Sequence, residues 1–184
     1  MSQMLILTAD PLTLKDALPS FTHSTHIFIP INDNRDPAHA EVGSHWTLLL
    51  ISTLDGVAFH YDSMRPANLL NAEAATQKLS ILLGRPLHFV DLDDSPQQEN
   101  GSDCGVFVCL EMKFLLMHRL LQRDSQGKVS MSMGGMEVDA VKGRKEMMKL
   151  IEEFRKEGRR SQSRSRSPLG RHLKHNGSPP RVGD

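Results

Sequence analysis

Cysteine is scarce in this chain of 184 residues: Cys104 and Cys109 are its only two. So few thiols exclude a disulfide scaffold and a zinc module built on several cysteines, and they fit a reducing compartment. Aromatic residues are just 5% of the sequence, with a single Trp and a single Tyr, so an aromatic beside reactive groups carries weight. Long apolar runs are missing; stretches such as 48–51 and 114–117 fall far short of the roughly 20 residues that span a bilayer. Residues 1–7 show no charged leader followed by a long apolar stretch, so no secretory signal is expected. These absences describe a soluble intracellular protein of the cytoplasm or nucleus.

What is present is enough for one domain and a tail. Hydrophobic residues make up 39% of the chain and charged residues 24%, with a formal net charge of zero. That zero hides an asymmetry. Residues 1–110 carry 5 Lys and Arg against 13 Asp and Glu, a balance of −8, and residues 111–184 carry 17 against 9, a balance of +8. An acidic front half is a poor surface for nucleic acid but suits a basic protein patch.

Residues 26–31, rich in Ile and Phe and followed by Asn32, Asp33 and Asn34, read as a buried strand ending in a turn. A polar loop covers 32–44. Residues 45–52 are apolar at successive positions and read as a central strand. Asp55 and Gly56 then turn the chain into a second strand, 57–62, closing a β-hairpin. Leu69, Leu70, Ala74, Leu79, Leu82 and Leu83 recur at helical spacing before Gly84, which predicts a helix over 68–84. A short strand at 87–92 and an acidic, Pro- and Gln-bearing loop at 93–103 lead to an apolar helix over 104–123, with Val106, Val108, Leu110, Phe114, Leu115 and Leu121 facing the core.

The fold class is therefore α+β, and the predicted organisation is a domain over 1–123, a flexible connector over 124–137, a helix over 138–158 and a disordered basic tail over 159–184. The connector reading rests on the Ser, Met and Gly content of 125–136, with Met131, Met133 and Met136 as filler. The tail carries seven Lys and Arg, five Ser and three Pro, and it cannot bury enough apolar surface to offset ordering entropy. Its alternating Arg and Ser suit phosphorylation, a weak RNA contact or a nuclear address.

Cys104 stands where the polar loop turns into the apolar helix. A thiol at a helix N-terminus feels the positive end of the macrodipole, which favours the nucleophilic thiolate. Gly105 leaves room for a substrate backbone. Cys109 lies one turn further along the apolar helix and reads as core. A cysteine nucleophile wants an imidazole to take its proton and a third group to hold that imidazole. His45 opens one strand of the hairpin and Asp62 closes the other, so antiparallel pairing makes them neighbours. Gln97 and Gln98 lie just ahead of Cys104, where an amide N–H reaches a developing oxyanion.

Three segments carry a resemblance: Gly43, Ser44, His45, Trp46 and Thr47; Phe59, His60, Tyr61, Asp62 and Ser63; and 96–105 from Pro96 through Gln98 to Cys104 and Gly105. Together they resemble the ubiquitin-like protease (Ulp) family of cysteine peptidases, from about residue 26 to about 116, and residues 28–34 look most like its deneddylase branch. The resemblance implies a papain-like fold of the Ulp type with a small mixed sheet packed against helices. It implies Cys104 as nucleophile, His45 as general base, Asp62 as its orienting carboxylate and Gln98 as the oxyanion donor. Trp46 would cover the tunnel for the modifier's Gly-Gly tail, with Gly105 also on the substrate side. No metal and no organic cofactor is implied. The implied partners are the neddylation modifier or SUMO and their conjugates, such as cullin-type targets, with no membrane partner and nucleic acid only weakly through 159–184.

Family domains of this type carry an N-terminal section before the first matched strand, and here about two dozen residues precede His26, so a shortened domain is expected. The main reading is a thiol protease that cuts after the terminal Gly of a ubiquitin-like modifier, foremost a deneddylase. Its alternatives are a SUMO protease, a weakened module that only binds the modifier, an RNA-associated protein led by the tail, and acyl transfer through the same Cys-His pair.

Overall fold

The computed structural model describes residues 2–36, 38, 39, 42–122 and 129–165. The chain divides into two units, 1–143 and 144–184. In the first, helix α1 (Ser2–Leu7) and a 3-10 turn (Pro11–Leu14) precede strand β1 (His26–Asn32). Strands β2 (Trp46–Ser52) and β3 (Val57–Tyr61) follow, then helix α2 (Leu69–Leu83), strand β4 (His88–Asp91) and helix α3 (Cys104–Phe114), which continues into a π-helical turn, Leu115–Leu120. Helix α4 spans Ala140–Ser165.

The sheet order is β1-β2-β3-β4. β1 and β2 are antiparallel, as are β2 and β3, while β3 and β4 run parallel. The mixed pairing follows from the connections: a tight turn through Gly56, at φ +69°, returns the chain antiparallel, whereas the crossover through α2 brings β4 in parallel. β2 is interior, and its side chains divide by parity. Leu49 and Ile51 join Ile27, Ile29 and Ile31 under α1 and α2, while Leu48 and Leu50 join Tyr61, Val108 and Leu115 on the α3 side. Both faces of β2 are covered, which is why its sequence is apolar without alternation. α2 brings small residues, Ala72, Ala75 and Thr76, against the sheet, and Gly84 ends it in the left-handed conformation at φ +64°.

Several expectations change. Leu70 and Leu121 face outward, at 68% and 65% exposure: the first lies on the solvent side of α2, the second beyond the π-helical turn that closes α3. In the described part of the expected flexible connector, 129–137, two side chains are packed into the core. Met131 and Met133 are core residues on the α3 face, and the Tyr61 hydroxyl donates to the Met131 carbonyl at 2.9 Å. Unbranched methionine side chains fill a gap that rigid residues would not fit. α4 runs past residue 158 to Ser165, so the helix takes in the start of the Arg- and Ser-rich tail. Residues 123–128 and 166–184, and with them the rest of the connector and tail, lie outside the described residues. Among the described residues no helix is long and apolar enough to cross a membrane.

Candidate active site

His45 is held by its main chain before its side chain is considered. Just beyond β1, Asp33 accepts hydrogen bonds at Oδ1 from the N–H groups of Ser44 (2.7 Å) and His45 (3.0 Å), and at Oδ2 from the Ser44 hydroxyl (2.6 Å). The Asp33 N–H and the Asn32 side-chain amide both donate to the His45 carbonyl, at 3.2 and 3.1 Å. Burial works against the charge of Asp33, but the bonds from Ser44 and His45 outweigh it and hold the carboxyl below its usual range. Asn32 occupies the space beside Gly43: a Cβ there would lie 1.9 Å from Asn32 Oδ1. Asn32 and Asp33, legible in the sequence only as turn formers, thus clamp residue 45 from across a loop.

The side chain then meets Asp62. The strand register pairs Leu48 with Tyr61 and Leu49 with His60, so one step further Asp62 stands level with Thr47, diagonal to His45. His45 Nε2 lies 2.7 Å from Asp62 Oδ1, with the two side chains 5% and 0% exposed. Asp62 also accepts the Met64 N–H at Oδ1 (2.9 Å) and the Asn68 N–H at Oδ2 (3.1 Å). Burial raises the Asp62 pKa, yet the bonds from His45, Met64 and Asn68 prevail and the carboxyl stays below its ordinary value. An ionised carboxylate only accepts, so Nε2 carries the ring proton and Nδ1 is left with a lone pair. Nδ1 is buried and has no hydrogen-bond partner among the described residues.

Cys104 is the first residue of α3 and is buried. α3 packs on the Leu48 and Leu50 face of β2, the face that Trp46 shares by parity. The helix start is formed by the Asp103 carbonyl, which accepts the N–H groups of Val106 (2.8 Å) and Phe107 (3.0 Å). In the loop before it, the Gln97 amide donates to the carbonyls of Asp62 (2.8 Å) and Ser95 (2.9 Å), and its oxygen accepts the Arg65 N–H. Gln97 is therefore a tie between this loop and the end of β3. Gln98 bonds Ser63 through its backbone N–H (2.8 Å) and its side-chain oxygen (2.7 Å), and its amide donates to the Asn100 carbonyl. Both amide protons of Gln97 are committed, whereas Gln98 donates only one to a partner among the described residues.

Trp46 heads β2 with 41% of its surface exposed. A Cβ on Gly105 would meet nothing within 4 Å, so the space beside the residue after Cys104 is open. Cys109, expected in the core, is exposed, because the buried face of α3 runs through Val108 and Glu111 instead. A cleft of about 530 Å³, lined in part by Leu18, Phe21, Leu82 and Arg85, holds none of the candidate residues. Among the described residues no cluster of three His, Cys, Asp or Glu side chains is placed to hold a metal ion.

The sequence pattern of the Ulp1 protease family, C-terminal catalytic domain, matches residues 13–159. The chain belongs to this family. NEDD8-specific protease 2 of Schizosaccharomyces pombe is 39% identical over 143 residues, 77% of this chain and 34% of that protein. Sentrin-specific protease 8 of Homo sapiens is 35% identical over 100 residues, 53% of this chain and 46% of that protein. This Ulp1-family chain thus spans less than half the length of either relative. Among solved structures, the Xanthomonas campestris effector protein XopD bound to ubiquitin shares the fold, with a TM-score of 0.51, 23% identity, and coverage of 80% of this chain and 74% of that one. The α+β fold of the Ulp type is the architecture expected from the sequence, and the family match begins earlier, at residue 13, than the motifs alone indicate.

Proposed function

We propose that this chain is a cysteine protease that hydrolyses the peptide or isopeptide bond after the C-terminal Gly of a ubiquitin-like modifier, with the neddylation modifier as its substrate. The observation that carries the reading is the His45–Asp62 pair at 2.7 Å with Nδ1 buried and unpartnered, on the sheet against which the Cys104 helix packs. A buried ring nitrogen with an uncommitted lone pair is poised to take a proton.

In this scheme His45 Nδ1 takes the Cys104 thiol proton, and Asp62 stabilises the imidazolium that results. The thiolate adds to the Gly carbonyl. The Gln98 amide N–H and a backbone N–H at the start of α3 receive the oxyanion. The C–N bond breaks as the imidazolium gives its proton to the leaving amine, and water activated by His45 then cleaves the thioester. Trp46 and the open space at Gly105 flank the path of the modifier's Gly-Gly tail, where only glycine lacks a clashing side chain. The −8 balance of residues 1–110 supports docking of a basic modifier surface. The names of the relatives support the neddylation modifier, and its cullin-type conjugates are the targets this reading assigns.

The test uses purified full chain with electrophile-tipped probes of the neddylation modifier, SUMO and ubiquitin, beside Cys104→Ser and Cys109→Ser. The expected result is labelling by the neddylation probe that is lost in Cys104→Ser and kept in Cys109→Ser. Labelling by the SUMO or ubiquitin probe alone reassigns the substrate, and a folded chain that no probe labels overturns the reading.

A further inference from the structure

β3 carries a second buried imidazole that the scheme above does not use. His60 has no exposed side-chain surface; its Nδ1 lies 2.8 Å from Asp91 Oδ1 and its Nε2 lies 3.1 Å from Thr47 Oγ1. Asp91 is anchored in turn by Arg65, whose Nε and an Nη contact Oδ2 at 3.1 and 2.6 Å. A carboxylate only accepts, so the His60 proton sits on Nδ1 and Nε2 accepts from the Thr47 hydroxyl. With its proton committed, Thr47 Oγ1 accepts from the Asn68 side-chain amide at 3.2 Å. The other amide proton goes to the Ile31 carbonyl at 3.1 Å, and the Asn68 oxygen accepts from Asn71 at 2.7 Å. Asn68 is the residue whose backbone N–H holds Asp62 Oδ2.

Every link has a defined donor and acceptor, and the chain of bonds runs from the Asp91 carboxylate at the end of β4 to the far oxygen of Asp62. Resting on the protease reading, we propose that Thr47 and His60 are positioning residues for the reaction: with Asp91 they fix Asn68, whose N–H keeps the Asp62 carboxylate from turning away from His45. Oδ1 is held by His45 and Met64, but Oδ2 has Asn68 as its one partner among the described residues. Loosening Asn68 frees the carboxylate to rotate and weakens its stabilisation of a His45 imidazolium. The charges facing His60 are Asp91, Asp62 and Arg65, and burial foremost holds the ring neutral, its pKa below the ordinary value, which keeps the direction of the bonds intact.

The test reads Cys104 directly and needs no substrate. In a Cys109→Ser background, the rate of alkylation by iodoacetamide is followed from pH 5 to pH 10, with melting temperatures measured alongside. The parent should show a thiolate–imidazolium limb that persists below pH 7. Thr47→Val removes the hydroxyl at constant shape, and His60→Phe removes Nε2 while keeping a ring against Phe89, which His60 stacks on at 5.9 Å. Each should shift the limb upward by about one unit, roughly a tenfold lower rate at pH 6 with an unchanged alkaline plateau. Thr47→Ser, which keeps the hydroxyl, should restore the parent limb. The two variants cut the chain at different atoms, so one that folds is enough. A paired limb unchanged in both, with only the melting temperature lowered, overturns the positioning role. A parent profile with the single limb of an ordinary thiol overturns the protease reading and this role with it.

Discussion

At the scale of the residue, burying an imidazole nitrogen without a partner costs about 1–3 kcal/mol, and His45 Nδ1 is in that position. The cost is compensated by the clamp of Asn32 and Asp33 on the main chain and by three donors on Asp62, which together leave the ring no other place to go. Gly105 is the opposite case, a residue whose lack of a side chain the fold does not require. A Cβ there meets open space, and alanine is the better helix former by up to about 1 kcal/mol. Gly105→Ala should therefore hold or raise the melting temperature while raising KM for a modifier-derived substrate, because the methyl enters the space left for the substrate backbone. A melting temperature lowered together with activity would place the glycine in the core instead. The pairing of His45 with Asp62 and the place of Cys104 at a helix start were legible because they follow from strand register and from the turn of a polar loop into an apolar run. The clamp on His45 was not, since Asn32 and Asp33 look like any turn until a loop brings residues 43–45 back beside them.

At the scale of the element, the hairpin of β2 and β3 sets the distance between His45 and Asp62, and Asn32 at the end of β1 holds the main chain of His45. Gly43 is the close point of that arrangement. A methyl at 1.9 Å from Asn32 Oδ1 must push the Asn32 amide out of its bonds to the His45 carbonyl and to the Asn34 N–H, the latter at 2.9 Å. Gly43→Ala is expected to lower stability by roughly 1–3 kcal/mol through those lost buried bonds, and to lower kcat more than KM, since the base moves but the substrate path does not. Urea unfolding and steady-state kinetics on one preparation separate the two effects; unchanged kcat would show that His45 does not depend on the clamp. The strands and α2 were readable from period and turn chemistry, whereas the packing of 129–136 was not. Ser, Gly and Met in succession have no periodicity, and only the space beside Tyr61 makes Met131 and Met133 core residues.

At the scale of the whole molecule, hydrogen-bonded carboxylates and buried titratable groups predict how stability varies with pH. Asp33, Asp62 and Asp94 all have lowered pKa values, so they contribute stability above pH 3.8 that is lost as pH falls below it. His60 is kept neutral by burial, and the unfolded chain takes up its proton below pH 6.5, so its contribution is also lost toward acid. Glu111 acts in the other direction. Burial, with the Asp62 charge adding, raises its pKa from 4.5 to about 8. Its stabilising contribution is complete below pH 4.5 and falls away as pH rises toward 8. Glu111→Gln keeps the shape without the proton and should be more stable than the parent at pH 8 by on the order of a few kcal/mol, with little difference at pH 5. Urea unfolding at both values decides it; equal stability at pH 8 would mean that Glu111 ionises as freely in the fold as in the unfolded chain.

The sequence by itself determined the α+β class, the hairpin, the helix beginning at Cys104 and which residues are the candidates for chemistry, because these follow from local propensity, side-chain period and the chemistry of a few residue types. The tertiary structure alone decided which nitrogen of His45 is left open, that Gln97 ties the loop while Gln98 keeps a donor, that Cys109 faces outward, and that Thr47 and His60 reach Asp62 through Asn68. Those facts depend on angles and distances between segments far apart in the chain. Only the closed fold, with its limited room and its pairing of most buried polar groups, sets them.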